Sequence, residues 1–277
     1  MSSLSSEAQS DTDAAPGLYE QRDQPDGVPP LALTGERTLP DVPEENYWFR
    51  RHQVVYEWIA ARVQGLRAID MACGEGYGSD VLARTAASVV GVDANPEAHE
   101  HARLRYRRAN LRFARDLVES FCEPADAVVF LQTIEHLQDP GAVLAHFRRL
   151  TEGAQGAAAG AGVVFVSTPN VLTLAPKGAA RSDNPWHVHE YRSGEFERLC
   201  REHFATVELY GLFHARKLRV HELALRLGWD RVHPPLRLTR RFYDWFTPAI
   251  AASDFALRPA GEANLDRALD FLAVCRP

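Results

Sequence analysis

The run Ile69-Asp70-Met71-Ala72-Cys73-Gly74-Glu75-Gly76-Tyr77-Gly78 closes a short apolar segment and opens a helical one. Glycines at 74 and 76 allow a tight turn and let a ligand approach the backbone closely. Asp93 ends the next apolar segment, where a carboxylate can accept hydrogen bonds from ribose hydroxyls. Arg115-Asp116-Leu117 follows a third, weaker segment, and a carboxylate there can accept from an adenine amino group. Gln132-Thr133-Ile134-Glu135-His136-Leu137 follows a fourth, where a nucleotide oxidoreductase has no reason to place Glu-His. Nucleotide oxidoreductases carry similar glycine turns, so the downstream residues narrow the reading. No P-loop lysine follows the glycines, which removes the phosphate-binding NTPase class.

Two groups of polar residues remain. His136 follows the fourth strand on the ligand edge, and a histidine with a reference pKa of about 6.5 suits proton transfer. It either takes a proton from an acceptor hydroxyl or supports its own loop. His187 and His189 flank Val188 ahead of Glu190 and Tyr191. They either order that loop or touch the acceptor, with His189 the second choice of base. As a metal pair they lack a third ligand, so no metal is expected. Arg50, Arg51 and His52 lie on an N-terminal helix. Of the two arginines only one is expected to reach a cofactor carboxylate, and Arg51 is assigned that contact.

These residues need a scaffold that lines them up on one edge. Strands are expected at 67–71, 88–93, 111–114, 126–130, 163–167, 206–209 and 269–275. Helices are expected at 48–63, 77–87, 96–108, 139–150 and 193–202, two of them with Pro at or near the first position. Alternation of this kind, with strands apolar on both faces, means a parallel sheet covered on both sides. Ligands of such sheets bind outside the carboxyl ends of the strands. Residues 1–30 are polar and read as a disordered tail. Residues 31–66 carry a helical lid, 67–211 the core, 212–266 a helical cap between strands six and seven, and 267–277 the final strand. Residues 153–162 read as a flexible link. The cap aromatics Trp229, Phe242, Tyr243, Trp245 and Phe246 are expected to form its core more than to stack on sugars.

Length and composition set the outer limits. The chain has 277 residues, enough to bury a full core without disulfides or metal. A formal net charge of −6 argues against nucleic acid as partner. Lys177 and Lys217 are the only lysines; almost all positive charge is arginine. The four cysteines, Cys73, Cys122, Cys200 and Cys275, form no CxxC pair and no disulfide framework. No apolar run reaches the roughly 20 residues of a membrane span, and no signal peptide is visible, so the expected location is the cytoplasm without stable membrane insertion.

From Arg67 to Ser167 the sequence resembles the S-adenosylmethionine-dependent methyltransferases of the Rossmann-like, seven-stranded class, with a mostly parallel sheet and an antiparallel last strand. The resemblance implies S-adenosyl-L-methionine as cofactor. It implies that the turn with Ala72, Gly74 and Gly76 contacts its amino-acid part, Asp93 the ribose and Asp116 the adenine, with Ala94, Leu117 and Gln132 also among the cofactor-binding residues. Ala72 departs from the glycine many members carry, which makes the pocket slightly tighter. The flanks, Thr34 to Pro40, Glu45 to Gln53, Ser167 to Asn170, Asn184 to Tyr191 and Gly211 to His214, look like methyltransferases of glycan clusters, closest to the mycobacterial type linked to methylglucose lipopolysaccharide synthesis. The expected function is O-methylation of a sugar hydroxyl of a polysaccharide or glycolipid precursor. A small-molecule methyltransferase for a quinone, phenol or antibiotic scaffold is the alternative. A non-catalytic module that senses the cofactor is the alternative from another class.

Overall fold

The computed structural model describes residues 18–19, 21, 24–34, 37–153, 162–176, 178–229 and 239–277. The chain divides into two units. One comprises residues up to Val54 together with His214–Ala256, and the other Val55–Phe213 with Leu257–Pro277.

The larger unit is built on one sheet. Its strands are β3 (Arg67–Met71), β4 (Ser88–Val92), β5 (Leu111–Ala114), β6 (Ala127–Leu131), β7 (Val163–Pro169), β8 (Thr206–His214), β9 (Phe255–Pro259) and β10 (Asp270–Arg276). Their order is β5-β4-β3-β6-β7-β10-β8-β9. β5 through β7 run parallel, and β10 runs antiparallel to both its neighbours. The mostly parallel α/β fold and the antiparallel last strand agree with expectation. The strand count does not: the sheet has eight strands rather than seven. The extra strand, β9, lies at the edge beside β8, in a stretch the sequence assigned to the helical cap. Its short Phe-Ala-Leu-Arg-Pro run has none of the Val-rich character of the central strands.

Every residue of β6 and β7 is buried, as a central parallel strand covered on both faces requires. The helices that flank them start where the sequence says. α3 (Pro96–Arg105) has Pro at its first turn, and the Asn95 side chain accepts from the amides of Glu97 and Ala98 at 3.0 and 2.9 Å. α4 (Pro140–Thr151) repeats the device, with Asp139 accepting from the Ala142 amide at 2.9 Å. Such caps contribute about 1 kcal/mol each. α2 (Tyr77–Leu82) is shorter than predicted, and its N-cap is Gly76 at φ 97°. After the one-turn α5 (Val171–Leu174), α6 (Ser193–His203) completes the set, and Phe196 and Cys200 on it face the core. Phe130, Phe147, Phe165, Phe196 and Phe271 are fully buried and anchor that core.

The smaller unit holds the N-terminal part of α1 (Asn46–Ala60), α7 (Arg216–Arg226) and α8 (Thr239–Phe246). The Asn46 amide donates to the carbonyls of Thr247 and Ile250 at 2.8 and 2.9 Å, so the lid and cap segments of the sequence reading are tied together. His221 stacks on Phe242 with centroids 5.7 Å apart, and Phe246 is buried, so these aromatics pack on one another. Strand pairing also begins earlier than expected. β1 (Leu18–Tyr19) pairs antiparallel with β2 (Leu31–Ala32), and Gln21 and Val28 are buried. The disordered tail expected over 1–30 therefore does not extend through this stretch; residues 1–17 lie outside the described residues. Most of the link expected over 153–162 and cap residues 230–238 also lie outside them. Among the described residues no helix is long and apolar enough to cross a membrane.

Candidate functional site

The glycine turn leaves β3 through three left-handed residues. Ala72, Gly74 and Gly76 have φ of 57°, 57° and 97°. Gly76 is required for a second reason: a Cβ there would stand 2.9 Å from the Ala102 Cβ and 3.0 Å from the Phe113 ring. The missing side chain lets α3 and β5 close on the turn. Glu75, between the glycines, points inward and is buried. Its carboxylate accepts from the Tyr106 hydroxyl at 2.8 Å and the Tyr77 amide at 2.9 Å, and lies 3.2 Å from His101 Nε2. Arg105 completes this cluster at 3.3 Å.

Beneath the turn sits Asp70, fully buried in β3. The Tyr56 hydroxyl donates to its Oδ1 at 3.1 Å and the Ser79 hydroxyl to its Oδ2 at 2.7 Å. Burial raises its pKa to about 7, against the two hydrogen bonds, which lower it; the Asp93 charge adds to the rise. Tyr56 fits only because residue 78 is glycine, since a Cβ there would fall 2.1 Å from the phenol ring. The sequence reading did not single out Asp70, Tyr56, Ser79 or Glu75. A charged residue inside the apolar run Ala68-Ile69-Asp70-Met71 is the one signal that could have found this group.

Asp93 stands at the end of β4 and faces the turn. Its Oδ2 accepts from the Gly74 amide at 2.7 Å and its Oδ1 from the Asn95 amide at 2.9 Å. Each carboxylate oxygen keeps a further lone pair for a hydroxyl donor. Ala94 beside it is exposed. Asp116, after β5, is half-buried and accepts from the Leu117 amide at 2.8 Å, while Leu117 is 56% exposed. Gln132, after β6, takes φ 51° and is held by Ser167, whose Oγ accepts from its amide at 3.1 Å and its Nε2 at 2.9 Å. Ala72, Gly74, Gly76, Asp93, Ala94, Asp116, Leu117 and Gln132 thus all lie at the carboxyl ends of β3, β4, β5 and β6. The fixed acceptors here, Asp93 and Asp116, are both carboxylates. That acceptor set fits the hydroxyls and amine of a cationic nucleoside better than a pyrophosphate.

A second group lies at the ends of β6 and β7. Glu135 and His136 form a 3-10 turn, with Glu135 and His187 buried and His136 half-buried. The His136 and His187 rings meet with centroids 5.0 Å apart. Glu135 Oε2 accepts from the Thr168 hydroxyl at 3.1 Å. The backbone carbonyl of Glu135 accepts from the amides of Val188 and His189, which fixes the 184–191 loop against the turn. Glu190 receives the Ser182 amide at 2.7 Å and the Ser182 hydroxyl, and lies 2.7 Å from His187 Nδ1. Burial works to raise the Glu190 pKa, but these partners hold it below the ordinary carboxylate value. His189 turns elsewhere: its Nε2 meets Glu195 at 2.8 Å and its side chain is 49% exposed. Asn170, buried, donates to the Ala268 carbonyl at 2.8 Å and locks the end of β7 to the chain entering β10. Arg51 belongs to the smaller unit, where it is buried with its guanidinium 4.9 Å over the Trp48 ring.

Comparison with known proteins adds to this geometry. A family described as a methyltransferase domain matches residues 45–223. A probable S-adenosylmethionine-dependent methyltransferase of Mycolicibacterium smegmatis is 37% identical over 90% of this chain and 97% of its own. One of Mycobacterium tuberculosis is 36% identical over 88% of this chain and 89% of its own. A ubiquinone biosynthesis O-methyltransferase of Albidiferax ferrireducens is 32% identical over 61% of this chain and 70% of its own. Among solved structures, magnesium protoporphyrin IX methyltransferase of Synechocystis with bound SAH is 18% identical over 65% of this chain and 84% of its own, with a TM-score of 0.48.

Proposed function

Because the chain belongs to the S-adenosylmethionine-dependent methyltransferases, we propose that its acceptor is a hydroxyl and that it acts as an O-methyltransferase. The cofactor, when bound, supplies a methyl group on a sulfonium for in-line displacement. This chain's residues bind it, orient the acceptor and exclude water. In this reading the turn 72–76 holds the cofactor's amino-acid part, Asp93 the ribose, and Asp116 with the exposed face of Leu117 the adenine. Gln132 lines the same edge.

The observation that carries the hydroxyl reading is the Glu135–His136–His187 cluster on the same sheet edge as the turn. A neutral hydroxyl is a poor nucleophile, so its methylation gains from a group that deals with its proton. His136 Nδ1 lies 3.1 Å from the Trp186 carbonyl, which can only accept, so Nδ1 carries a hydrogen and in the neutral ring Nε2 carries the lone pair. We assign that nitrogen to the acceptor hydroxyl. His189, the second choice, has its Nε2 engaged by Glu195.

For the acceptor we propose a sugar hydroxyl of a polysaccharide or glycolipid precursor, the reading that rests on the flanking motifs. A phenolic small molecule is the second reading, supported by the relatives named ubiquinone biosynthesis O-methyltransferases. Cofactor consumption measured across short oligosaccharides, partly methylated sugars, catechols and hydroquinones tests both. Turnover with sugars alone supports the first reading. Turnover with phenols alone replaces it with the second. No turnover with any hydroxyl acceptor overturns the O-methyl reading and favours a cofactor-sensing module.

A further inference from the structure

One ligand-type atom each from Glu135, His136 and His187 lies within 4.8 Å of the others. In the sequence His187 pairs with His189 and lacks a third ligand. The fold changes the pairing: His189 is drawn to Glu195, and His187 meets the Glu-His turn that follows β6. Two imidazoles and one carboxylate are a donor set for divalent transition ions that keeps coordination positions open for a further ligand.

The hydrogen bonds around the three residues point the same way. His187 Nδ1 lies 2.7 Å from the Glu190 carboxylate, so Nδ1 carries the hydrogen and Nε2 the lone pair. The Asn184 amide nitrogen approaches that Nε2 at 3.0 Å; its orientation is set by Asn184 Oδ1, which accepts from the Trp186 amide at 2.9 Å. Nε2 is therefore an acceptor in this structure, with the neutral Asn184 amide as its donor, a contact that a cation would displace. His136 has the same tautomer, set by the Trp186 carbonyl. Glu135 is steadied by the Thr168 hydroxyl. Each of the three thus has an outer partner of the kind that orients metal ligands, a carboxylate behind one histidine and a carbonyl behind the other.

We propose that Glu135, His136 and His187 form a binding site for a divalent cation of the zinc type, with open coordination positions that take the acceptor hydroxyl. The role in catalysis rests on the O-methyl reading above; the binding does not. A hydroxyl on such a cation gives its proton to water far more readily than a free one. Its oxygen keeps the electron pair, which forms the new bond to the methyl carbon as the carbon–sulfur bond breaks and leaves its pair on sulfur. His136 then acts on the acceptor through the cation.

The test uses the full-length protein after removal of metal with a chelator. Zinc chloride is titrated by calorimetry, and cobalt(II) is followed by its visible absorption. The expected result is one saturable equivalent per chain, with the intense bands of four- or five-coordinate cobalt. Replacing Glu190 by Gln is expected to weaken binding about 10- to 100-fold through His187 alone. His187→Ala is expected to abolish it; because His187 is buried, His136→Ala at a half-buried position serves as the second variant, each checked by circular dichroism. Absence of saturable binding, or equal binding by wild type and both histidine variants, overturns the site. Methyl transfer to a hydroxyl acceptor that is unchanged by chelation and by added metal overturns the catalytic role. Specific metal binding with no hydroxyl acceptor turned over upholds the site and overturns the O-methyl reading.

Discussion

The Tyr56 hydroxyl donates to Asp70 Oδ1 at 3.1 Å, and the two residues are held in that contact by the absence of a side chain at Gly78. This places three chain segments, α1, β3 and the start of α2, under the glycine turn as one packed unit. Replacing Gly78 by Ala is expected to destabilise the protein by about 1 to 3 kcal/mol, because the phenol must move out of a packed site. Denaturant unfolding checks this. A midpoint equal to wild type would mean that Tyr56 has room to move.

Asp70 gives the stability of the protein a pH dependence of known sign. Its pKa is raised by burial to about 7, above the unfolded value, so the folded state binds the proton more tightly. Its contribution is fully present below the unfolded pKa and is lost as pH rises through about 7. A rise of that size corresponds to about 4 kcal/mol at most. Asp70→Asn keeps the shape and the hydrogen-bond capacity but does not ionise. The variant is expected to lose less stability than wild type between about pH 4 and about 7, measured by urea unfolding at each pH. Parallel profiles would contradict the assignment.

His136→Ala is expected to lower kcat about 100- to 10,000-fold with little change in cofactor affinity. The same variant under the metal reading loses its response to added zinc. Stopped turnover assays with a hydroxyl acceptor, beside calorimetry of cofactor binding, separate the two quantities. Near-normal kcat would remove His136 from the acceptor site.

The thiols differ sharply in access. Cys122 is exposed, whereas Cys73, Cys200 and Cys275 are buried. Burial, aided by the charges of Asp70 and Asp93, pushes the Cys73 thiol up, so it is inert despite its place in the turn. Native protein is expected to react rapidly with a thiol reagent at Cys122 alone and at all four cysteines once unfolded. Fast native labelling of Cys73 would show that the turn opens.

The sequence made the turn and its two downstream carboxylates legible because each directly follows a short strand: the glycines after Arg67–Met71, Asp93 after Ser88–Val92 and just ahead of the helix-starting Asn95-Pro96, and Asp116 after Leu111–Ala114. Those signals are short-range. Asp70 and Glu75 were missed because their partners, Tyr56, Ser79, His101 and Tyr106, are brought in by packing rather than spacing. The histidines show the same limit. His187 and His189 are neighbours in sequence, yet the loop turns one to Glu190 and His136 and the other to Glu195. The eighth strand was hidden for a related reason: β9 lies at the edge of the sheet, where a strand needs no continuous apolar pattern.

The central claim is that the turn at 72–76 and the carboxylate of Asp93 grip S-adenosylmethionine. Asp93 both pins the Gly74 amide at 2.7 Å and offers lone pairs to the ribose in this account. Calorimetric titration with S-adenosylmethionine tests it most directly, with wild type beside Asp93→Ala and Asp93→Asn. One-to-one binding by wild type is expected, weakened about 10- to 100-fold in Asp93→Ala, as for loss of a charge-assisted hydrogen bond. Asp93→Asn, which keeps an oxygen for Gly74, is expected to fall between the two. Equal affinity in all three proteins would contradict the account.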